Sequence, residues 1–258
     1  MKVLLVVAHP EPSSFNAYLA CVTYDTLSKN GHAVRLSDLY ASDFDPRESG
    51  RHYSVRVDPE CFNAQAEQCF NWENRSLPEQ VQNEIDKIIW ADLLVLQFPL
   101  WWFGPPAILK GWMDRVFVYG GLYSGSRRHD RGPCAGKKAL ISVTTGSSAE
   151  ACSFDGREGD TQLILWPLLY ALRYVGYTVL QPCIIHGVRG GLSGDAAQAQ
   201  KGYLLRMERD YKARLLNIHT APTISFNSDN DWDKQGKLKP EAPVHSPFIR
   251  HKRELNLV

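Results

Sequence analysis

Leu93-Leu94-Val95-Leu96-Gln97-Phe98-Pro99-Leu100-Trp101-Trp102-Phe103-Gly104-Pro105-Pro106-Ala107-Ile108-Leu109-Lys110-Gly111-Trp112 is the most informative run of this chain. Its opening apolar stretch reads as a strand buried on both faces, the mark of a parallel sheet. An apolar-periodic helix follows over residues 107–116 and accepts proline in its first turn. Two tryptophans and a phenylalanine therefore sit where a strand hands over to a helix, the edge along which open α/β sheets bind ligands. Flanking prolines restrict these rings, and the backbone N–H groups of such a turn have no ladder to join. The segment is suited to hold a flat heteroaromatic ring.

Upstream, Ser76-Leu77-Pro78-Glu79 reads as a capping box, and Val81, Ile85, Ile88 and Ile89 follow at helical spacing. At the start of the chain, residues 2–8 form a first buried strand. A polar turn, His9-Pro10-Glu11-Pro12-Ser13-Ser14, leads into a helix with Phe15, Leu19, Val22 and Leu27 on one side. Asn30-Gly31 stops that helix, and a strand over 32–36 completes a βαβ unit, which commits the sheet to being largely parallel. Residues 38–75 read as a long irregular excursion; loops of that length usually have a function or cover something.

Downstream, a strand over 137–143 ends in Thr144-Thr145-Gly146-Ser147-Ser148. Asp160 is placed to cap a helix over 161–175 that is apolar nearly all round and contains Pro167, so it needs cover on every side, as at a subunit interface. A strand over 178–185 and a helix repeating Leu204, Met207, Tyr211 and Leu215 on one face complete the pattern. From His219 onward the composition turns to Pro, Asn, Asp and Lys. The expected architecture is one α/β domain over 1–218, a doubly wound five-stranded parallel sheet, with a C-terminal extension over 219–258 that wraps a surface, expected to be that of a partner subunit.

With 258 residues, 44% of them hydrophobic, the chain suffices for one sizeable domain and is short for two. A formal net charge of +1 gives no global field toward nucleic acid or an anionic membrane, so small-molecule chemistry is favoured. Cys21, Cys61, Cys69, Cys134, Cys152 and Cys183 are scattered, with no C-x-x-C pair and no zinc spacing. They read as reduced thiols of a cytoplasmic protein without a metal site. The opening apolar run is short and meets Pro10 and Pro12 at once, as expected of a strand and not of a signal peptide, and no apolar stretch reaches bilayer length.

Three strand-to-helix turns converge on one sheet edge: residues 9–16, 99–104 and 144–148. The first lacks both the G-x-G-x-x-G fingerprint and the Walker lysine. It does place Ser13, Ser14 and Asn16 at a helix N-terminus, where hydroxyls and free N–H groups suit a phosphate, although taken alone plain N-capping by Ser13 or Ser14 is the better account of them. The third turn has short residues that admit a ring close to the backbone. Phosphate cradle, ring platform and ring-edge loop together are what a flavin nucleotide requires.

These residues resemble the flavodoxin-fold NAD(P)H:quinone oxidoreductases. The likeness is carried by Ala8-His9 with Ser14-Phe15-Asn16; by Gln97-Phe98-Pro99-Leu100 with Trp102-Phe103-Gly104 and the string from Pro106 to Trp112; and by Thr144-Thr145-Gly146, Gly159-Asp160 and Ile164-Leu165-Trp166-Pro167. It thins after Asp195. The resemblance implies a flavodoxin-like fold and FAD, in preference to FMN, at the interface of a homodimer. It further implies hydride transfer from NADH or NADPH to the flavin, then two-electron transfer to a quinone in a ping-pong cycle. Carried over by position, His9, Ser14, Phe15, Asn16 and Tyr18 hold the pyrophosphate side. Pro99, Leu100, Trp101, Trp102 and Phe103, with Thr144, Thr145, Gly146 and Ser147, hold the isoalloxazine. Asn63 falls where the partner subunit of relatives reaches the FAD, Tyr123 matches an aromatic of the substrate slot, and Trp232 stands for tail aromatics over the pocket.

The chain departs from that pattern. Where relatives carry a tyrosine and a histidine that support charge on the reduced flavin, it has Cys152 and Glu158. Ionised, Glu158 would repel the reduced cofactor; protonated, it would donate a hydrogen bond, unless Arg157 or Arg128 compensates. Gly125 replaces a second slot aromatic and Arg128 an apolar residue, so the slot is expected to be wider and more polar, open to a bulky quinone, a nitroaromatic or an azo compound. Two rival readings remain: a flavin-binding ancillary subunit of a membrane transporter, and an FMN azoreductase or nitroreductase.

Overall fold

A computed structural model of the chain describes residues 1–252. In chain order it runs β1 (Lys2–Val7), α1 (Phe15–Lys29), β2 (Ala33–Asp38), α2 (Ala64–Glu73), α3 (Glu79–Trp90), β3 (Leu93–Pro99), α4 (Ala107–Val116), β4 (Lys138–Thr144), α5 (Thr161–Ile164), α6 (Trp166–Tyr174), β5 (Thr178–Val179), β6 (Cys183–Ile185) and α7 (Gly194–Leu216). The sheet has the order β2-β1-β3-β4-β5, with β6 also pairing β4, and every pairing is parallel. This is the flavodoxin-like arrangement, with its switch point between β1 and β3. Register pairs Val7 with Gln97 and Pro99 with Thr144, so three strands deliver their loops to one edge.

Side chains alternate across the strands and divide the core in two. Leu4, Val6, Leu94 and Leu96 lie under α3, α4 and α6; Val3, Leu5, Val7 and Val95 lie under α1 and α7. Each β3 residue is buried, which is why the run could show no polar alternation. The buried carboxylate of α3 is fully paired. Glu84 accepts from Trp112 Nε1 at 2.9 Å, Lys87 Nζ at 2.6 Å and Ser37 Oγ at 3.0 Å.

Four local expectations are corrected. The excursion over 38–75 contains α2, a helix without an apolar stripe whose buried residues are Glu67, Gln68 and Asn71. The capping box at Ser76 does not form: Pro78 is the N-cap of α3, without a side-chain bond, and Ser76 Oγ donates to Asn71 Oδ1 instead. The single helix over 161–175 breaks at Leu165, because Pro167 has no N–H for the Leu163 carbonyl and is tolerated only in the first turn of a new helix. The strand over 178–185 splits into β5 and β6 around Pro182, which cannot donate to the ladder.

The tail docks on its own chain as far as it is described. The N–H of Ile224 donates to Val179, and Phe226 and Phe248 lie 5.4 and 5.9 Å from the Trp166 ring. Within the chain the tail thus covers the part of α6 that carries Trp166. No helix among the described residues is long and apolar enough to cross a membrane.

Candidate functional site

The turn after β3 is a two-residue hairpin. Trp101 N–H donates to the Gly104 carbonyl and Gly104 N–H to that of Trp101, both at 3.0 Å. Its central residues, Trp102 and Phe103, have φ of 49° and 59°, the left-handed region that such turns usually give to Asn-Gly. Each costs of order 1 kcal/mol or more. Trp102 is nevertheless 95% exposed and Phe103 58% exposed, so neither gains core packing in return. Strain without compensating burial marks a surface shaped for something outside the chain.

At the start of α1, Ser14 is the N-cap, its Oγ accepting the Ala17 N–H at 3.1 Å. Capping and ligand binding are compatible here: the N–H groups of Phe15 and Asn16 have no acceptor among the described residues, and neither do those of Trp102, Phe103, Gly146 and Ser147. Ser13 is held back by Glu11, which accepts its N–H and its hydroxyl at 2.8 and 2.6 Å. Those bonds with Ser13 hold the Glu11 carboxyl below the usual range. His9 accepts the Glu11 N–H at Nδ1, so a neutral ring carries its proton on Nε2, as a donor.

A buried amide chain ties the three turns together. Gln97 Nε2 donates to Asn16 Oδ1, and Asn16 Nδ2 to Thr144 Oγ1, each at 2.8 Å. Gln97 carries this without having been expected to; the only signal was a lone amide in an all-apolar strand. On the neighbouring loop, Thr145 Oγ1 lies 3.0 Å from the Ser147 carbonyl and 3.2 Å from His186 Nδ1. Burial lowers the pKa of His186.

These turns enclose a cavity of about 740 Å³ lined by His9, Ser13, Ser14, Phe15, Asn16, Tyr18, Pro99, Leu100, Trp101, Thr144, Thr145 and Gly146, all expected, and by Val188, Arg189, Gly190 and Leu204, which were not. No carboxylate lines it. A smaller cavity of about 180 Å³ adjoins it, where Trp102, Phe103, Gly146, Ser147, Cys152 and Glu158 meet Ile164. Glu158 Oε1 is paired with Arg157 Nε at 3.0 Å, while Arg128 lies elsewhere, donating to Tyr174 Oη at 3.2 Å. A groove of about 460 Å³ continues past Phe15 and Tyr18 to Lys201 and Leu205.

Three expected site residues lie outside these cavities. Asn63 is the N-cap of α2, accepting the Ala66 N–H at 3.1 Å. Tyr123 packs edge-on against Tyr119 and Tyr174, and its hydroxyl meets Gln65 Nε2 at 3.4 Å, so it shares a surface with the start of α2. Trp232 lines a separate polar pocket with Arg128 and Lys234.

A family model described as a flavodoxin-like fold matches residues 1–208. The ribosyldihydronicotinamide dehydrogenase (quinone) of Homo sapiens is 44% identical over 185 residues, 71% of this chain and 80% of that protein. The NAD(P)H dehydrogenase (quinone) 1 of Rattus norvegicus is 39% identical over 229 residues, 88% of this chain and 82% of that one. Among solved structures, a candidate quinone reductase from Klebsiella pneumoniae superposes with a TM-score of 0.83 at 30% identity, covering 93% of this chain and 95% of that chain. The chain belongs to the flavodoxin-fold NAD(P)H:quinone oxidoreductase family.

Proposed function

We propose that the chain is an FAD-dependent NAD(P)H:quinone oxidoreductase that works as a homodimer by a ping-pong cycle. The observation that carries this reading is the strained, exposed Trp102-Phe103 turn beside a cavity rimmed by unbonded N–H groups. The residues present fit a flavin nucleotide. The cavity has ligand-sized volume, its polar lining is rich in donors, Arg189 adds a cation, and no carboxylate lines it, the Glu11 carboxylate standing behind Ser13 at the rim. The groove running on past Tyr18 gives a second nucleotide half somewhere to lie and favours FAD over FMN.

When bound, the flavin supplies the redox chemistry, accepting a hydride from the nicotinamide and passing two electrons to the quinone. The chain supplies position and electrostatics. Ser14 and the Phe15 and Asn16 N–H groups hold the pyrophosphate at the positive end of α1, Ser13 joins them only by giving up its bonds to Glu11, and the Gln97 amide chain keeps Asn16 in place. Residues 99–103 and 144–147 hold the ring, with Trp102 and Phe103 keeping water from its exposed side. Asn63, Tyr123 and Trp232 serve the partner subunit's site. Cys152 and Glu158 border the ring, and Arg157 compensates the Glu158 charge.

The visible spectrum before and after NADPH under anaerobic conditions tests the core of the proposal, and the mass of the released cofactor tests FAD. Flavin bands that bleach with NADPH, and quinone turnover well above the free-flavin background, are expected. Colourless protein that takes up neither FAD nor FMN overturns it; a bound flavin without turnover would indicate an ancillary subunit. For Glu158, stopped-flow reduction of wild type and Glu158→Gln across pH decides, and superimposable profiles remove it from the mechanism.

A further inference from the structure

A polar pocket of about 400 Å³ lies where the loop before β4 meets the tail, between Arg128 and His129 on one side and Trp232 and Lys234 on the other, with Tyr170 of α6 in its wall. Its charges do not cancel locally. Asp229 is engaged by Arg131 at 3.0 Å, and Asp233 Oδ1 accepts the N–H groups of Gln235 and Lys237 at 2.9 and 2.8 Å. Arg128 and Lys234 have no carboxylate partner among the described residues. Arg128 is also oriented: its guanidinium stands 5.8 Å over the Tyr174 ring and donates to that residue's hydroxyl.

The pocket is aromatic as well as cationic. His129 is held at φ 50°, strained for a residue other than glycine, with its ring 5.0 Å from Tyr174 and 5.8 Å from Tyr170. Burial lowers its pKa, which leaves a neutral, stackable ring. Tyr174 in turn packs 5.7 Å from Tyr123, so one run of rings joins this pocket to the surface that holds Tyr123 and the start of α2.

The geometry points to a subsite for the anionic substituent of the electron acceptor: Arg128 and Lys234 select a quinone bearing a sulfonate or carboxylate, whose ring lies against His129, Tyr170 and Trp232. This rests on the proposed function, in which Tyr123 and Trp232 stand over the partner subunit's flavin. The chemistry balances without a further reagent. NAD(P)H loses a hydride to become NAD(P)⁺, the quinone gains that hydride and a solvent proton to become the hydroquinone, and the sulfonate or carboxylate is unchanged. Guanidinium and ammonium groups recognise such oxygens by charge-assisted hydrogen bonds.

The test compares kcat/KM for a naphthoquinone sulfonate with that for its uncharged parent, using the flavin-loaded full chain. In wild type the sulfonate is favoured, and the preference shrinks as salt is raised. Arg128→Leu lowers the sulfonate-to-parent ratio about tenfold, the scale of one lost charge-assisted hydrogen bond, whereas Arg128→Lys retains most of it. Lys234→Ala lowers it about threefold, as for a more solvated charge. A ratio that does not move in Arg128→Leu, while the parent quinone is still reduced, overturns the subsite and leaves the proposed function standing. If neither quinone is reduced, the proposed function fails and the acceptor role with it, and calorimetry with naphthalene sulfonate then decides whether the pocket is an aryl-anion site at all. Binding to wild type that Arg128→Leu abolishes supports it, and equal or absent binding overturns it.

Discussion

The turn over 101–104 and helix α2 break the inside-outside rule in opposite directions. The turn puts aromatic rings into solvent in left-handed backbone; the helix puts Glu67, Gln68 and Asn71 into the interior. Every buried polar group of α2 has a partner. Glu67 takes Arg56 Nε at 2.7 Å and the Val57 N–H at 3.0 Å; Gln68 bridges the Asp114 carbonyl and the Tyr119 N–H; Asn71 donates to the Val55 carbonyl. The turn has no such internal account. Polar residues inside, fully paired, serve the fold, while apolar residues outside, strained and unpaired, gain nothing from the fold, which is why the proposed function gives them a ligand.

The largest effect that bears on this contrast is expected at Glu67. Glu67→Ala leaves the Arg56 guanidinium without its partner and should cost about 3 kcal/mol in urea unfolding. A loss below about 1 kcal/mol would mean that α2 is not held by its buried charge. The pH dependence sharpens the same point. Burial raises the Glu67 carboxyl, but Arg56 and the Val57 N–H outweigh it and hold the pKa below the usual range. Because the folded pKa is depressed, the stabilisation is complete above the unfolded value of about 4.3 and drains away as pH falls through the folded one. Unfolding curves taken downward from pH 5 should therefore be flatter for Glu67→Gln than for wild type.

At the turn the expected signs reverse. Trp102→Gly removes a strained side chain and should stabilise the flavin-free protein by about 1 kcal/mol, while weakening flavin affinity about tenfold. If stability and affinity fall together, the turn is structural and the contrast with α2 is lost. The smallest effect is at Asn63, whose side chain caps α2. Asn63→Ala should cost about 1 kcal/mol by thermal or urea unfolding. A flavin affinity that also drops, measured on the folded protein, would support its proposed second duty at a partner subunit's site.

Much of the scaffold was legible because parallel strands buried on both faces are local apolar runs. β1, β3 and β4 lie within a residue or three of where that pattern puts them, and α4 occupies residues 107–116 as expected. Helix α2 was hidden for the complementary reason: its burial is achieved by hydrogen bonds, which leave no 3.6-residue apolar period. Its one local signal was Asn63 ahead of a run of good helix formers. Pro167 and Pro182 were visible, yet their power to divide an element into two was underread.

Of the candidate site, the three turns and most of the cavity lining followed from the amino-acid sequence, since strand ends at a switch point and capping residues are local features. Four things were settled by tertiary structure alone. The Gln97, Asn16 and Thr144 chain joins residues 81 and 128 positions apart; Arg189 and Val188 enter the cavity from a distant loop; the tail closes over α6; and Arg128 and Lys234 come to face one pocket. Periodicity records how each residue meets its own element. Hydrogen bonds and charges that converge from separate loops have no period, and only the folded backbone brings them within reach.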